Sequence, residues 1–169
     1  MKTLYSIGAY VSYRQNGIHK IVDITTQKFG RETNQYYILQ SVYGDTTQIF
    51  VPADTPDLEK HMRPITTRDE IEQIISESEK TELPWYDDSR TRRDFLNNVI
   101  ASGDRAKILQ VLKQLSLHKI KVEKENHKFY ATDEALLTRA AKIITEDFAF
   151  ALGLEKEQVL PYILKIAKK

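Results

Sequence analysis

The apolar period of this chain changes once, near residue 66, and that change limits what it can fold into. Before it, β-branched and aromatic residues dominate and apolar positions alternate with polar ones, the period of a strand with one buried face. Ala9, Val11 and Tyr13 share one side, and Tyr10, Ser12 and Arg14 the other. Asn16-Gly17 supplies the pair of positive-φ residues that a tight hairpin needs, and Ile18, Val22 and Ile24 continue into a second strand. A polar loop over 28–34, a third strand over 36–42, a turn at Gly44-Asp45 and a fourth strand over 46–51 ended by Pro52 follow. Residues 62–65 are placed to close the set. Four or five short antiparallel strands in so short a span pack most simply as a small SH3-like or Tudor-like barrel.

After the change the apolar residues recur at helical spacing. Thr67 and Glu70 have the spacing of a capping box, and Ile71, Ile74 and Ile75 then line one face. Residues 81–88 interrupt with Pro84. A second helix over 89–101 carries Phe95, Leu96, Val99 and Ile100, with Gly103 as its terminal cap. Asp104 starts a third helix with Ile108, Val111, Leu112 and Leu115, expected to fade near Ile120. Thr132 is placed to cap a long helix with Leu137, Ala140, Ala141, Ile144, Phe148 and Ala151, stopped by Gly153. A last helix from Glu155 carries Val159, Ile163 and Ile166, and Pro161 should kink it or mark its start. The fold class is therefore α+β in two domains, a β-barrel over 1–66 and an all-α domain over 67–169.

Composition narrows the function. Hydrophobic residues at 41% and charged residues at 29% exclude disorder, and the absence of Cys removes disulfides, thiol catalysis and Cys-based zinc sites. That usage suits a reducing compartment, and the N-terminus lacks the apolar core of a signal peptide, so a cytoplasmic protein without a membrane segment is expected. There is no Gly-rich phosphate loop, no nucleophile elbow and no His-Glu-x-x-His, and the four histidines, His19, His61, His118 and His127, have no metal-ligand spacing. Neither catalysis, a metal nor a cofactor is expected, which leaves binding. The net charge is only +1, but residues 68–88 hold 2 basic and 8 acidic side chains while 105–128 hold 7 basic and 2 acidic. An acidic joint precedes a basic arm that includes Lys113, Lys119 and Lys121.

Several collinear pieces resemble the CarD/CdnL family of bacterial transcription regulators. They are Gly8-x-x-Val11-x-Tyr13, Gly17-Ile18-His19-Lys20-Ile21, Tyr36-Tyr37-Ile38-Leu39, Val51-Pro52 and Met62-Arg63-Pro64-Ile65, then Trp85, Ala101-Ser102-Gly103-Asp104 and the long helix over 137–154. The resemblance implies a Tudor-like domain docked on the β-subunit lobe of RNA polymerase and a helical domain on promoter DNA. It also implies a Trp wedged in the minor groove at the upstream edge of the melted bubble, stabilising the open complex. The Tudor-like domain is similar, too, to the polymerase-binding module of transcription-repair coupling factors, without their helicase motifs.

Carried onto this chain, the wedge is Trp85, the only Trp, which on the residues alone could equally pack at the joint between domains. Arg90, Arg92 and Arg93 follow within two turns as phosphate contacts, or as a solvated face paired with Asp87, Asp88 and Asp94. Lys113, Lys119 and Lys121 of the basic arm extend that set as a phosphate-facing surface opposite in charge to the acidic joint, or form a solvated helix face. In many family members the Trp lies closer to the Ser-Gly pair than Trp85 does to Ser102-Gly103. Relatives can also carry an Arg on the fourth strand where this chain has Phe50, so polymerase docking falls to Gln48, Ile49 and Phe50 by apolar contact and strand edge, with barrel core as the other role for Phe50. The expected protein is a monomer that binds DNA weakly unless tethered to polymerase. The alternative is an adaptor that binds polymerase or another partner and no DNA.

Overall fold

The computed structural model describes residues 4–14, 16–44 and 47–167, which fall in two units, Met1–Ile65 and Thr66–Lys169. The first is built on five antiparallel strands, β1 (Tyr10–Tyr13), β2 (Ile18–Phe29), β3 (Glu32–Ser41), β4 (Gln48–Pro52) and β5 (Met62–Pro64), with a one-turn helix α1 (Leu58–His61) leading into β5. Their order across the sheet is β4-β3-β2-β1-β5, so β4 and β5 are the edges. Alternation puts Val11, Ile21, Tyr37, Leu39, Val51 and Met62 on the buried face with Leu58. The Tyr37 hydroxyl accepts from the backbone N–H groups of Leu4 and Tyr5 at 2.8 and 3.2 Å, tying the incoming chain to that face.

Two expectations for this unit are corrected. Residues 28–34 are no loop: β2 and β3 continue as a ribbon to the pair Phe29 and Glu32, joined through Gly30 at φ +65°. The ribbon runs beyond the core, so both its faces are wet and its sequence carries no apolar alternation to read. The first hairpin closes over four residues rather than two, with positive φ at Arg14 and Gly17 and the Tyr13 N–H donating to Gly17 O at 3.0 Å. Gln15 lies outside the described residues. So do Asp45 and Thr46, where the next turn and the start of the fourth strand were expected; β4 is described from Gln48.

The second unit is wholly helical: α2 (Arg68–Lys80), α3 (Ser89–Ala101), α4 (Arg105–Lys124), α5 (Ala131–Leu152) and α6 (Lys156–Ala167). Thr67 caps α2 as its spacing predicts, its hydroxyl accepting from the Glu70 N–H at 3.2 Å, and Gly103 ends α3 at φ +74°. Ile71, Ile100, Ile108, Val111, Leu115, Ala140, Ile144, Phe148 and Val159 are fully enclosed in one core. Each large aliphatic side chain among them contributes about 1.5–3 kcal/mol by leaving water. Helix α4 runs four residues past Ile120, because its last turn is held by its own backbone and by Lys121 and Lys124 at the negative helix end. Thr132 does not cap α5; the N-cap position is Tyr130, without a side-chain bond. Helix α6 passes through Pro161, whose missing N–H orphans the Glu157 carbonyl on an exposed flank where water can serve it. Among the described residues no helix is long and apolar enough to cross a membrane, and no group of three or more His, Asp or Glu could hold a metal.

Candidate nucleic-acid and polymerase interfaces

Helix α2 ends at Lys80 and α3 begins at Ser89, and between them the chain runs as an extended strap. Leu83 tucks against the helical core, and its carbonyl accepts from Gln114 Nε2 on α4 at 2.9 Å. Asp88 then starts α3, one carboxylate oxygen accepting from the Thr91 N–H at 2.9 Å and its hydroxyl at 2.7 Å. Those two bonds, the hydroxyl's first, hold the Asp88 carboxyl below its ordinary pKa.

Arg92, one turn into α3, points back under the strap. Its Nε and Nη2 donate to the two oxygens of Asp133 on α5 at 3.0 and 2.6 Å, and its Nη1 donates to the carbonyls of Tyr86 and Asp87 at 2.8 and 3.2 Å. Arg92 is 3% exposed and Asp133 is fully enclosed. Breaking such a buried pair from one side costs about 3–5 kcal/mol, because the other charge is stranded. This corrects Arg92 as a phosphate contact: four of about five guanidinium N–H groups are engaged inside the protein, and the group has no route to a backbone phosphate.

On this support Trp85 and Tyr86 stand side by side, each 37% exposed. The Arg92 guanidinium carbon lies 4.8 Å from the Trp85 ring centre, and the His118 ring on α4 lies 4.5 Å from it. Tyr86 meets Phe95 edge-on at 5.3 Å. Phe129 extends the row at 6.0 Å from His118, with Lys119 Nζ over its ring at 5.6 Å and paired to Glu134 at 3.0 Å. Burial, followed by the nearby Arg92 charge, lowers the His118 pKa, so its imidazole resists protonation. Trp85 is thus neither free of the protein nor enclosed by it: one part packs within the helical unit and the remainder faces outward.

The other expected DNA residues divide. Arg90 is exposed beside the strap at the start of α3, and Arg93 pairs with Asp94 at 3.3 Å, the arrangement of a solvated face. Lys121 is exposed. Lys113 is not gathered with the aromatic row; it lines an open apolar groove of about 530 Å³ with Leu117 and Ile120 of α4 and Leu160 and Leu164 of α6. The basic arm therefore wraps around α4 instead of presenting one face. Tyr86, His118 and Asp133 were missed in the sequence. An aromatic next to Trp85 was a legible signal for Tyr86, whereas Asp133 meets Arg92 only through the tertiary fold, 41 residues away.

In the β unit, β4 alternates so that Val51 is buried and Ile49 leans on the core, while Gln48 and Phe50 face out. Phe50 is 48% exposed, which corrects barrel core as its role. It stands opposite Ile38 on β3, flanked by the pairs Gln40 with Gln48 and Tyr36 with Pro52, and Phe29 meets Tyr36 edge-on at 5.7 Å. Phe50 is thus an outward aromatic on an edge strand, and the edge of a sheet is where a further strand or partner can be added.

Residues 5–66 match the protein-family model described as the CarD-like/TRCF RID domain. The β unit belongs to that family of RNA polymerase-interacting domains. The match takes in all five strands and α1 and stops just before α2. No curated protein matches the chain.

Proposed function

We propose that this is a non-enzymatic transcription regulator, acting as a monomer in the cytoplasm. Its β unit, read as Tudor-like, binds the β-subunit lobe of RNA polymerase, and its helical unit contacts promoter DNA at the upstream edge of the bubble and modulates open-complex stability. The observation that carries the reading is the family match over 5–66, which falls on the unit that offers Gln48 and Phe50 at an open sheet edge. The DNA contact is supported by the half-exposed Trp85 and Tyr86 beside Arg90, since an aromatic wedge holds a partly unstacked step when other contacts support the distortion.

The test uses the full chain as bait for the isolated β lobe, and then in open-complex lifetime assays. Retention of the lobe by the wild-type chain, reduced about tenfold or more by Phe50→Glu, is expected where an apolar anchor at an interface centre is replaced by a charge. A lifetime changed by the wild type and restored by Trp85→Ala is expected for the DNA contact. No retention removes the polymerase reading; an unchanged lifetime removes the kinetic one. The adaptor reading is favoured by one observation, the apolar groove between α4 and α6, a kind of surface that more often meets protein than nucleic acid. It expects Trp85→Ala to leave the promoter footprint intact while Leu164→Glu loses the partner.

A further inference from the structure

We infer that Arg92 is a positioning residue, whose bond set fixes the Trp85-Tyr86 edge in a DNA-ready geometry without itself touching DNA. The inference rests on the reading of Trp85 as the DNA contact and adds what makes it one. The strap between α2 and α3 has no secondary structure of its own, so its backbone gains nothing from a helical ladder. Arg92 replaces that ladder: one edge of the guanidinium is locked on Asp133, and Nη1 takes the carbonyls of Tyr86 and Asp87. The same flat group lies 4.8 Å from the indole, whose other neighbour, His118, is 4.5 Å away. Both the strap backbone and the Trp85 ring are thus referred to Asp133, an enclosed residue of the long helix α5.

The chemistry requires arginine. A planar fork can hold a carboxylate along one edge, carbonyls from another and an aromatic ring near its face, whereas a lysine ammonium offers a point charge that cannot do all three. A wedge held in this way loses little further freedom when it enters a distorted step, which is how preorganisation becomes affinity. Asp133 also neutralises the guanidinium, so Arg92 acts on DNA through the geometry of the indole and not through its charge.

Because Trp85 is the only Trp, its emission reports on the strap alone. The experiment compares the full-length wild type, Arg92→Lys and Asp133→Asn, each checked for helical content by circular dichroism, with Arg90→Gln as the charge control. In the wild type the indole should tumble with the protein in time-resolved anisotropy; fast local rotation there overturns the inference without any variant. In folded Arg92→Lys and Asp133→Asn, acrylamide quenching of Trp85 should rise toward that of free tryptophan, and the open-complex effect should be lost to the level of Trp85→Ala. Adding Arg92→Lys to Trp85→Ala should then cost nothing more, since the two act through one element. The salt slope of DNA binding should be unchanged in Arg92→Lys and reduced by about one in Arg90→Gln. Unchanged quenching in a folded variant, or a lowered salt slope for Arg92→Lys, overturns the positioning role. Raised quenching together with a wild-type chain that never alters lifetime leaves Arg92 positioning the strap and instead removes the DNA reading beneath it.

Discussion

His118 touches the indole of Trp85 and shares its surroundings with Arg92, so its protonation should be visible in Trp85 emission. Burial and then the Arg92 charge lower its pKa, outweighing the opposing pull of Asp133 and Asp87. His19, enclosed beneath the sheet with Nδ1 paired to Gly17 O at 2.9 Å, is lowered as well, by burial. A depressed folded pKa means that the unfolded chain takes up the proton first. The stability present above the ordinary imidazole value of about 6.5 therefore declines as pH falls through it and is lost once the folded pKa is passed. The melting temperature should fall between pH 7.5 and pH 5, and His19→Gln with His118→Gln should flatten that fall. Trp85 emission should titrate with a midpoint below that of a free imidazole, and the titration should vanish in His118→Gln. A midpoint above it would contradict the packing of this ring. The three arginines of α3 show where residue-scale reading stops. Arg90, Arg92 and Arg93 are alike in sequence, and only the carboxylate of Asp133, delivered by α5, decides that the middle one turns inward.

Among the elements, α2 and α5 make a controlled comparison of helix starts. Thr67 accepts the Glu70 N–H and satisfies an orphan donor of α2, whereas Thr132 sits inside α5, past a Tyr130 N-cap that makes no side-chain bond. Thr67→Ala should cost about 1 kcal/mol and lower the urea midpoint, while Thr132→Ala should stay within about 0.5 kcal/mol of wild type. Equal losses would mean that the cap of α2 is not as described. The helices were legible because an amphipathic stripe and its caps are local: Ile71 and Ile75, Leu96 and Ile100, and Val111 and Leu115 sit where their spacing put them. The far end of the β2 and β3 ribbon was not, since Thr25, Gln27, Lys28, Thr33 and Asn34 pair through backbone alone and have no core to point at. The proposed DNA-facing site was half legible. Trp85 and Arg90 stand at the surface, but Lys113 belongs to a groove lined by α2, α4 and α6, and no local pattern encodes how those helices meet.

For the whole molecule, near neutrality bears directly on the proposed DNA contact. With 25 basic against 24 acidic residues the chain has no field strong enough to gather DNA by itself, and the structure trims the basic set further. Arg92 is neutralised inside, Lys119 is shared with Glu134, Arg93 with Asp94, and Lys113 faces the groove. Arg90 and Lys121, with a share from Arg93 or Lys119, leave about two or three phosphates to be neutralised, so log K for the isolated chain should fall with log salt at a slope of about −2 to −3. In the proposed function, binding that weak becomes useful when polymerase holds the protein at a promoter, because a short tether supplies an effective local concentration of about millimolar order. The full chain should therefore give no promoter footprint at physiological salt, and a clear one when polymerase is added. Phe50→Glu should abolish the footprint with polymerase while leaving the weak salt-dependent binding of the free chain untouched, since in the proposed function the sheet edge and the strap act at different steps. A steep slope of about −6 or beyond would require a broad basic face of the kind that repressors use, and would make the tether unnecessary. A slope near zero would take phosphate contact away from the helical unit, leaving its apolar groove as the surface through which that unit acts.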